Sequence, residues 1–124
     1  MKSYTDISQS KKLADILLHI TADNTYERIV IAGCNLDIPE EQQYVYRNIP
    51  FAFFSGIGVP CWSLAALLDV INTNYYITLY HDGVAWNIDI IHHDNVKDKH
   101  NVYANTPIDA CVEIIIELHE QKLL

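Results

Sequence analysis

Three groups of side chains carry whatever chemistry this sequence has to offer. The first is His92, His93, Asp94, Asp98 and His100, imidazoles and carboxylates in one short stretch, a donor set that suits zinc or another divalent ion. Their spacing matches no metal-ligand motif, and an exposed polar loop has the same composition. His92, His93 and His100 therefore stand as metal candidates only, and the expectation is a protein without a cofactor. The second group is Cys61, just ahead of an expected helix start, where the helix dipole would favour a thiolate. A small buried side chain beneath Trp62 suits the same position. The third group is a ligand platform. Gly56-Ile57-Gly58 ahead of a helix can turn backbone N–H groups toward an anion. Trp62, Trp86, Tyr76 and Tyr80 offer flat faces for a base, Asn87 shares the tyrosines' face, and Arg28 or Arg47 can neutralise a phosphate. Plainer roles compete: a tight turn for the glycines, core packing for Trp86 on the hairpin's apolar face, and β-propensity or a protein-partner surface for the tyrosines. No pair of carboxylates stands out for acid–base work, and no catalytic residue is assigned.

Composition narrows what such a platform can meet. Among 124 residues, 16 acids against 8 lysines and arginines give a formal charge of −8, which opposes a broad contact with a DNA backbone. Small ligands, protein partners and an acidic DNA-mimicking surface remain open. With 50% hydrophobic residues the chain can bury a core without disulfides or metals. The polar N-terminal stretch has no signal-peptide pattern, and the longest apolar runs, 64–68 and 114–116, fall short of the roughly 20 residues that span a bilayer. The expectation is a cytoplasmic protein with no membrane contact, whose three cysteines, Cys34, Cys61 and Cys111, stay reduced.

The elements that must position these groups follow from periodicity and punctuation. Thr5 or Asp6 caps a first helix with Ile7, Leu13, Ala14, Leu17 and Leu18 apolar at helical spacing. Residues 26–32 read as a strand ended by Gly33, 35–43 as a loop, and 44–54 as an extended segment that Pro50 confines to an edge or splits. Ser63 caps a helix running to Ile71 that is apolar all round, hence buried in the domain or in an oligomer interface. Asp82-Gly83 joins 75–81 to 84–91 as a two-residue hairpin. That turn sets His81 opposite Val84, Leu79 opposite Trp86, Ile77 opposite Ile88 and Tyr75 opposite Ile90. Tyr76, Thr78 and Tyr80 then share the other face with Asp89, Asn87 and Ala85. Residues 92–101 read as an exposed charged loop. The last helix starts at Thr106 as N-cap, with Pro107 at its first position and Asp109 two residues on. It turns Ile108, Cys111, Val112, Ile115 and Leu118 inward, and Asp109, Glu113, Glu117 and Glu120 outward. The order α-β-β-α-β-β-α predicts a single α+β domain over 1–124, a two-layer sandwich of one antiparallel sheet, about four strands wide, with three helices on one face.

Two strings carry a resemblance: Ile57-Gly58-Val59-Pro60-Cys61-Trp62-Ser63-Leu64-Ala65-Ala66-Leu67-Leu68, and Tyr103-Ala104-Asn105-Thr106-Pro107-Ile108-Asp109-Ala110-Cys111-Val112-Glu113. In these the chain resembles a group of small uncharacterised proteins encoded by phages and prophages of Bacteroides-type gut bacteria. The likeness runs from 9–13, through 21–23, to the final helix, and leaves out 27–45 and 72–81. It implies a phage or prophage setting and brings no assigned residues with it. Together with the small size, the acidity and the tyrosine face, it sets the expectation of a non-catalytic binding protein. Such a protein would counter a host defence by sequestering a nucleotide-derived signal. The alternative is a structural or regulatory interaction module, as a homodimer or as an inhibitor of a host defence protein. A small metal-dependent enzyme is the third reading.

Overall fold

The structure, a computed structural model, describes residues 2–29 and 38–124. It is an α+β protein whose described residues form two compact units, Asp6–Trp62 and Met1–Thr5 with Ser63–Leu124.

In the first unit Asp6, not Thr5, caps α1 (Ile7–Ala14). Its carboxylate accepts the Gln9 amide at 2.8 Å while the Gln9 side chain accepts the Asp6 amide at 3.1 Å, so two otherwise orphaned donors are satisfied reciprocally. The helix stops earlier than its apolar pattern predicts. The His19 imidazole engages the Ala14 carbonyl at 2.8 Å, residues His19–Thr21 form a 3-10 turn, and Leu18 ends exposed rather than in the core. β1 (Asn24–Arg28) is the centre of an antiparallel sheet, flanked by β2 (Tyr44–Arg47) and β3 (Gly58–Cys61). The extended segment around Pro50 is indeed split: β2 ends at Arg47, and Phe51–Phe53 form another 3-10 turn. The expected end of the first strand at 30–33, and Cys34, lie outside the described residues.

The second unit holds α2 (Leu64–Asn72), β4 (Tyr75–His81), β5 (Trp86–His92), β6 (Asn95–Ala104) and α3 (Pro107–Glu120). Ser63 caps α2 by accepting the Ala66 amide. One side of α2 is covered, with Ala66, Leu67 and Ile71 buried, while Ala65 and Asp69 face outward, so the helix is not enclosed all round. α3 begins as its sequence predicts, with the Thr106 hydroxyl accepting the Asp109 amide at 3.1 Å and Pro107 in the first turn. Ile108, Cys111, Val112, Ile115 and Leu118 are all buried. Asp109 is also held by the Lys2 ammonium at 2.8 Å. Both helices pack on the sheet β4-β5-β6, and β5, the central strand, contributes Ile88 and Ile90 to the interface.

Two expectations are corrected here. The connection between β4 and β5 has four residues, not two. The Asp82 carboxylate accepts the Val84 and Ala85 amides at 2.9 and 2.8 Å and closes a wider loop. The register therefore sets His81 against Trp86, Leu79 against Ile88 and Ile77 against Ile90. A shift of two residues preserves every side chain's face. Second, 92–101 is not a loop. After a tight turn at His93-Asp94 the chain returns as β6, the longest strand, with Asp98, His100, Val102 and Ala104 half-buried and Lys97, Lys99, Asn101 and Tyr103 exposed. Among the described residues there are thus six strands in two three-stranded sheets rather than about four in one, while the three helices are as expected.

Candidate functional site

Because β5 pairs on both sides, each of its outward residues fixes a row of three. Tyr80, Asn87 and Tyr103 form one row, Thr78, Asp89 and Asn101 the next, and Tyr76, Ile91 and Lys99 the third. Alternation along a strand sends these side chains to the face opposite Ile77, Ile88 and Ile90, and α2 and α3 cover the isoleucine face. The rows are left open: Tyr76 is 64% exposed, Tyr103 70% and Tyr80 40%. The His93 ring lies against Tyr76 with centroids 4.4 Å apart. Asp89 sits in the centre and its charge is engaged, since it accepts the Asn101 amide and a hydrogen bond from Tyr80. Desolvation, then the charge and hydrogen bond of Asp89, then the charge of Asp82 push the Tyr80 phenol above its ordinary range.

Asn87 lies on this face but is not free to read a ligand. It is buried, and its amide donates to Asp82 at 2.9 Å and to the Ala85 carbonyl at 3.3 Å. Asp82, receiving this amide as well as the Ala85 and Val84 N–H groups, has its carboxyl held down at about 2, chiefly by the Ala85 and Val84 backbone bonds. Asn87 thus locks the loop that sets the register. Tyr103, Asn101, Asp89 and Lys99 complete the surface beside Tyr76 and Tyr80. The β6 members were hidden by their charge, which reads as a loop. The signal that reveals them is period-two alternation from Val96 to Ala104.

The remaining platform candidates belong to the first unit. Gly58 lies in β3 opposite Glu27, not in a turn that feeds the helix, and a Cβ there would come within 2.6 Å of the Tyr26 carbonyl. Its lack of a side chain serves close strand packing. Gly56 has φ +148° and precedes the same strand. Gly58 is part of β3 and Gly56 precedes it, so neither leads directly into α2 in the chain. Trp62 is fully buried and its indole N–H donates to Thr21 at 2.9 Å, so it offers no stacking face. Arg47, exposed at the end of β2, reaches Glu27 at 3.3 Å. Cys61 is a wholly buried strand residue, and Cys111 lies in the α3 core, where burial pushes its thiol up to about 12 and disfavours the thiolate. A cavity of about 430 Å³ lined by Ile7, Ser8, Lys11, Pro39, Glu40 and Glu41 contains none of the residues singled out above.

On the helix-covered face of β4-β5-β6 lies a second polar group. The Tyr75 hydroxyl donates to Asp98 Oδ2 at 2.9 Å, His100 Nε2 lies 2.7 Å from Asp98 Oδ1, and His100 Nδ1 lies 3.7 Å from Glu117 Oε2. His92 stacks edge-on against Tyr75 at 5.2 Å. Burial works to raise the Asp98 carboxyl, but the bonds from His100 and Tyr75 and the charges of His100 and His92 outweigh it and hold it low. Among the described residues no three His, Cys, Asp or Glu side chains are arranged to hold a metal ion, and none of their helices is long and apolar enough to cross a membrane. His92 and His100 are packing and hydrogen-bonding partners of Tyr75 and Asp98, and His93 of Tyr76.

Compared with known proteins, the chain matches no family model, no curated protein and no solved structure. The open rows of β4-β5-β6 are rich in exposed tyrosine and edged by Lys97 and Lys99.

Proposed function

We propose that this chain is a non-catalytic binding protein of phage or prophage type that occupies a host protein in the bacterial cytoplasm through the tyrosine face of β4-β5-β6. The observation that carries the reading is the one-sided packing of that sheet. Both helices cover the isoleucine face, and Tyr76, Tyr80 and Tyr103 are left in the open on the other. Small-molecule sites are concave and enclose most of their ligand, whereas protein interfaces are flatter and enriched in tyrosine. The face also lacks the acidity of the chain. Lys97 and Lys99 lie on it, and its carboxylate, Asp89, is taken by Tyr80 and Asn101.

The test is expression in a bacterial host whose defences restrict a phage. The wild-type chain should restore plating, and Tyr76→Ala combined with Tyr103→Ala should not, with unchanged circular dichroism. Equal plating by the two chains rejects the face. One observation favours a second reading, sequestration of a nucleotide-derived signal: the Tyr76–His93 ring pair shares a row with Lys99, a place for a base beside a place for a phosphate. Native mass spectrometry separates the two readings, since a nucleotide retained by the wild type and lost from the double variant would replace the protein partner.

A further inference from the structure

The geometry points to His100 as a pH-dependent brace that holds Asp98 of its own strand and Glu117 of α3 at once only when its imidazole is protonated. The two ring nitrogens face two different carboxylates, Asp98 Oδ1 at 2.7 Å from Nε2 and Glu117 Oε2 at 3.7 Å from Nδ1. A neutral imidazole has one N–H. It can donate to Asp98 or to Glu117, and its other nitrogen then turns a lone pair on a carboxylate. An imidazolium presents an N–H to each, hydrogen-bonding Asp98 and forming an ion pair with Glu117. The side that fails is already marked, because Glu117 Oε2 is buried and has no hydrogen-bond partner. The other side is fixed, since Tyr75 holds the second Asp98 oxygen at 2.9 Å. The groups that face His100 are therefore Tyr75 from β4, His92 from β5, Asp98 from β6 itself and Glu117 from α3. His92 is a second imidazole in the cluster, edge-on against Tyr75, so its own variant belongs in the test. The brace stands apart from the proposed partner surface, which lies on the opposite face of the sheet.

Protonation thus closes a contact between the last turns of α3 and the middle of β6, and deprotonation opens it. The experiment is amide hydrogen exchange at about pH 5.5 and about pH 8.5, either side of the ordinary imidazole range, corrected for the intrinsic pH dependence of exchange. In the wild type, protection of the α3 amides from Ile114 onward should fall about tenfold at the higher pH, the equivalent of one charge-assisted hydrogen bond. His100→Gln should remove the difference. Glu117→Gln should also remove it while keeping protection at high pH, because a neutral amide can donate to the unprotonated Nδ1. His92→Gln should leave the difference in place. Equal protection of the wild type at both pH values, a difference that survives His100→Gln, or one that disappears with His92→Gln would each overturn the brace.

Discussion

Around β5 the buried aliphatic positions are Ile88 and Ile90, the helices on that face of the sheet add Leu67, Ile71, Ile108, Ile114, Ile115 and Leu118, all fully buried, and the buried Asn87 lies on the other face. Around β1 the buried positions are Asn24, Thr25 and Tyr26, and what holds them is directional. Thr25 donates to the Ile49 carbonyl at 2.8 Å, Tyr46 donates to Asn24 at 2.6 Å, and Trp62 donates to Thr21 at 2.9 Å. Two sheets of equal strand number are thus ordered in different ways, one by aliphatic area that tolerates small adjustments, the other by hydrogen bonds that do not. The second unit should be the more resistant to opening, and the first should respond to the loss of single atoms.

The contrast is broken or sharpened most strongly at Trp62. Trp62→Ala removes the largest fully buried side chain and its bond to Thr21, and should cost about 4 kcal/mol. Hydrogen exchange should show the loss concentrated in 6–62; a loss spread evenly over both units would end the contrast. Ile90→Ala should cost about 3 kcal/mol by urea unfolding, as a cavity in a packed core does. Thr25→Val keeps shape and removes one donor, so about 1 kcal/mol is expected, and a value near zero would mean that the Ile49 carbonyl is satisfied as well by water. The smallest effect is seen only in alkali. Burial first, then the hydrogen bond and charge of Asp98, push the Tyr75 phenol from 10.0 up to about 12. The folded chain then keeps a proton that the unfolded chain releases, so this share of stability is complete below the ordinary phenol range and is lost as pH rises through about 10 to about 12. The lowered Asp98 carboxyl works in the opposite sense, contributing above the ordinary carboxylate range and losing its share as pH falls below it. Tyr75→Phe should flatten the alkaline limb of a melting-temperature profile; an unchanged limb would assign it to other groups.

Where a residue acts through its nearest neighbours in sequence, the sequence showed what it does. The starts of α1 and α3 depend on Asp6 with Gln9 and on Thr106, Pro107 and Asp109, all within one turn, and both are found. The faces of β4 and β5 follow from alternation and also hold. The register between them does not, because it depends on which amides the Asp82 carboxylate accepts. β6 escaped notice because the charges of 92–101 outweighed their period. The candidate site was half legible for that reason: Tyr76 and Tyr80 could be read, while Tyr103 and Asn101 needed the third strand. Trp62 and Gly58 could not be assigned from types alone. A buried indole and a close strand contact are made with Thr21 and Tyr26, far off in the chain.

Among the described residues β6 is also the outer strand of its sheet, and an unpaired strand edge is a template on which another chain can build. Lys97 and Lys99 alternate along it, and their ammonium groups would have to shed water for a neighbouring strand to zip onto that edge. Lysines on an outer strand oppose such pairing, so the same two residues that rim the tyrosine face also suit β6 to its place at the edge of its sheet.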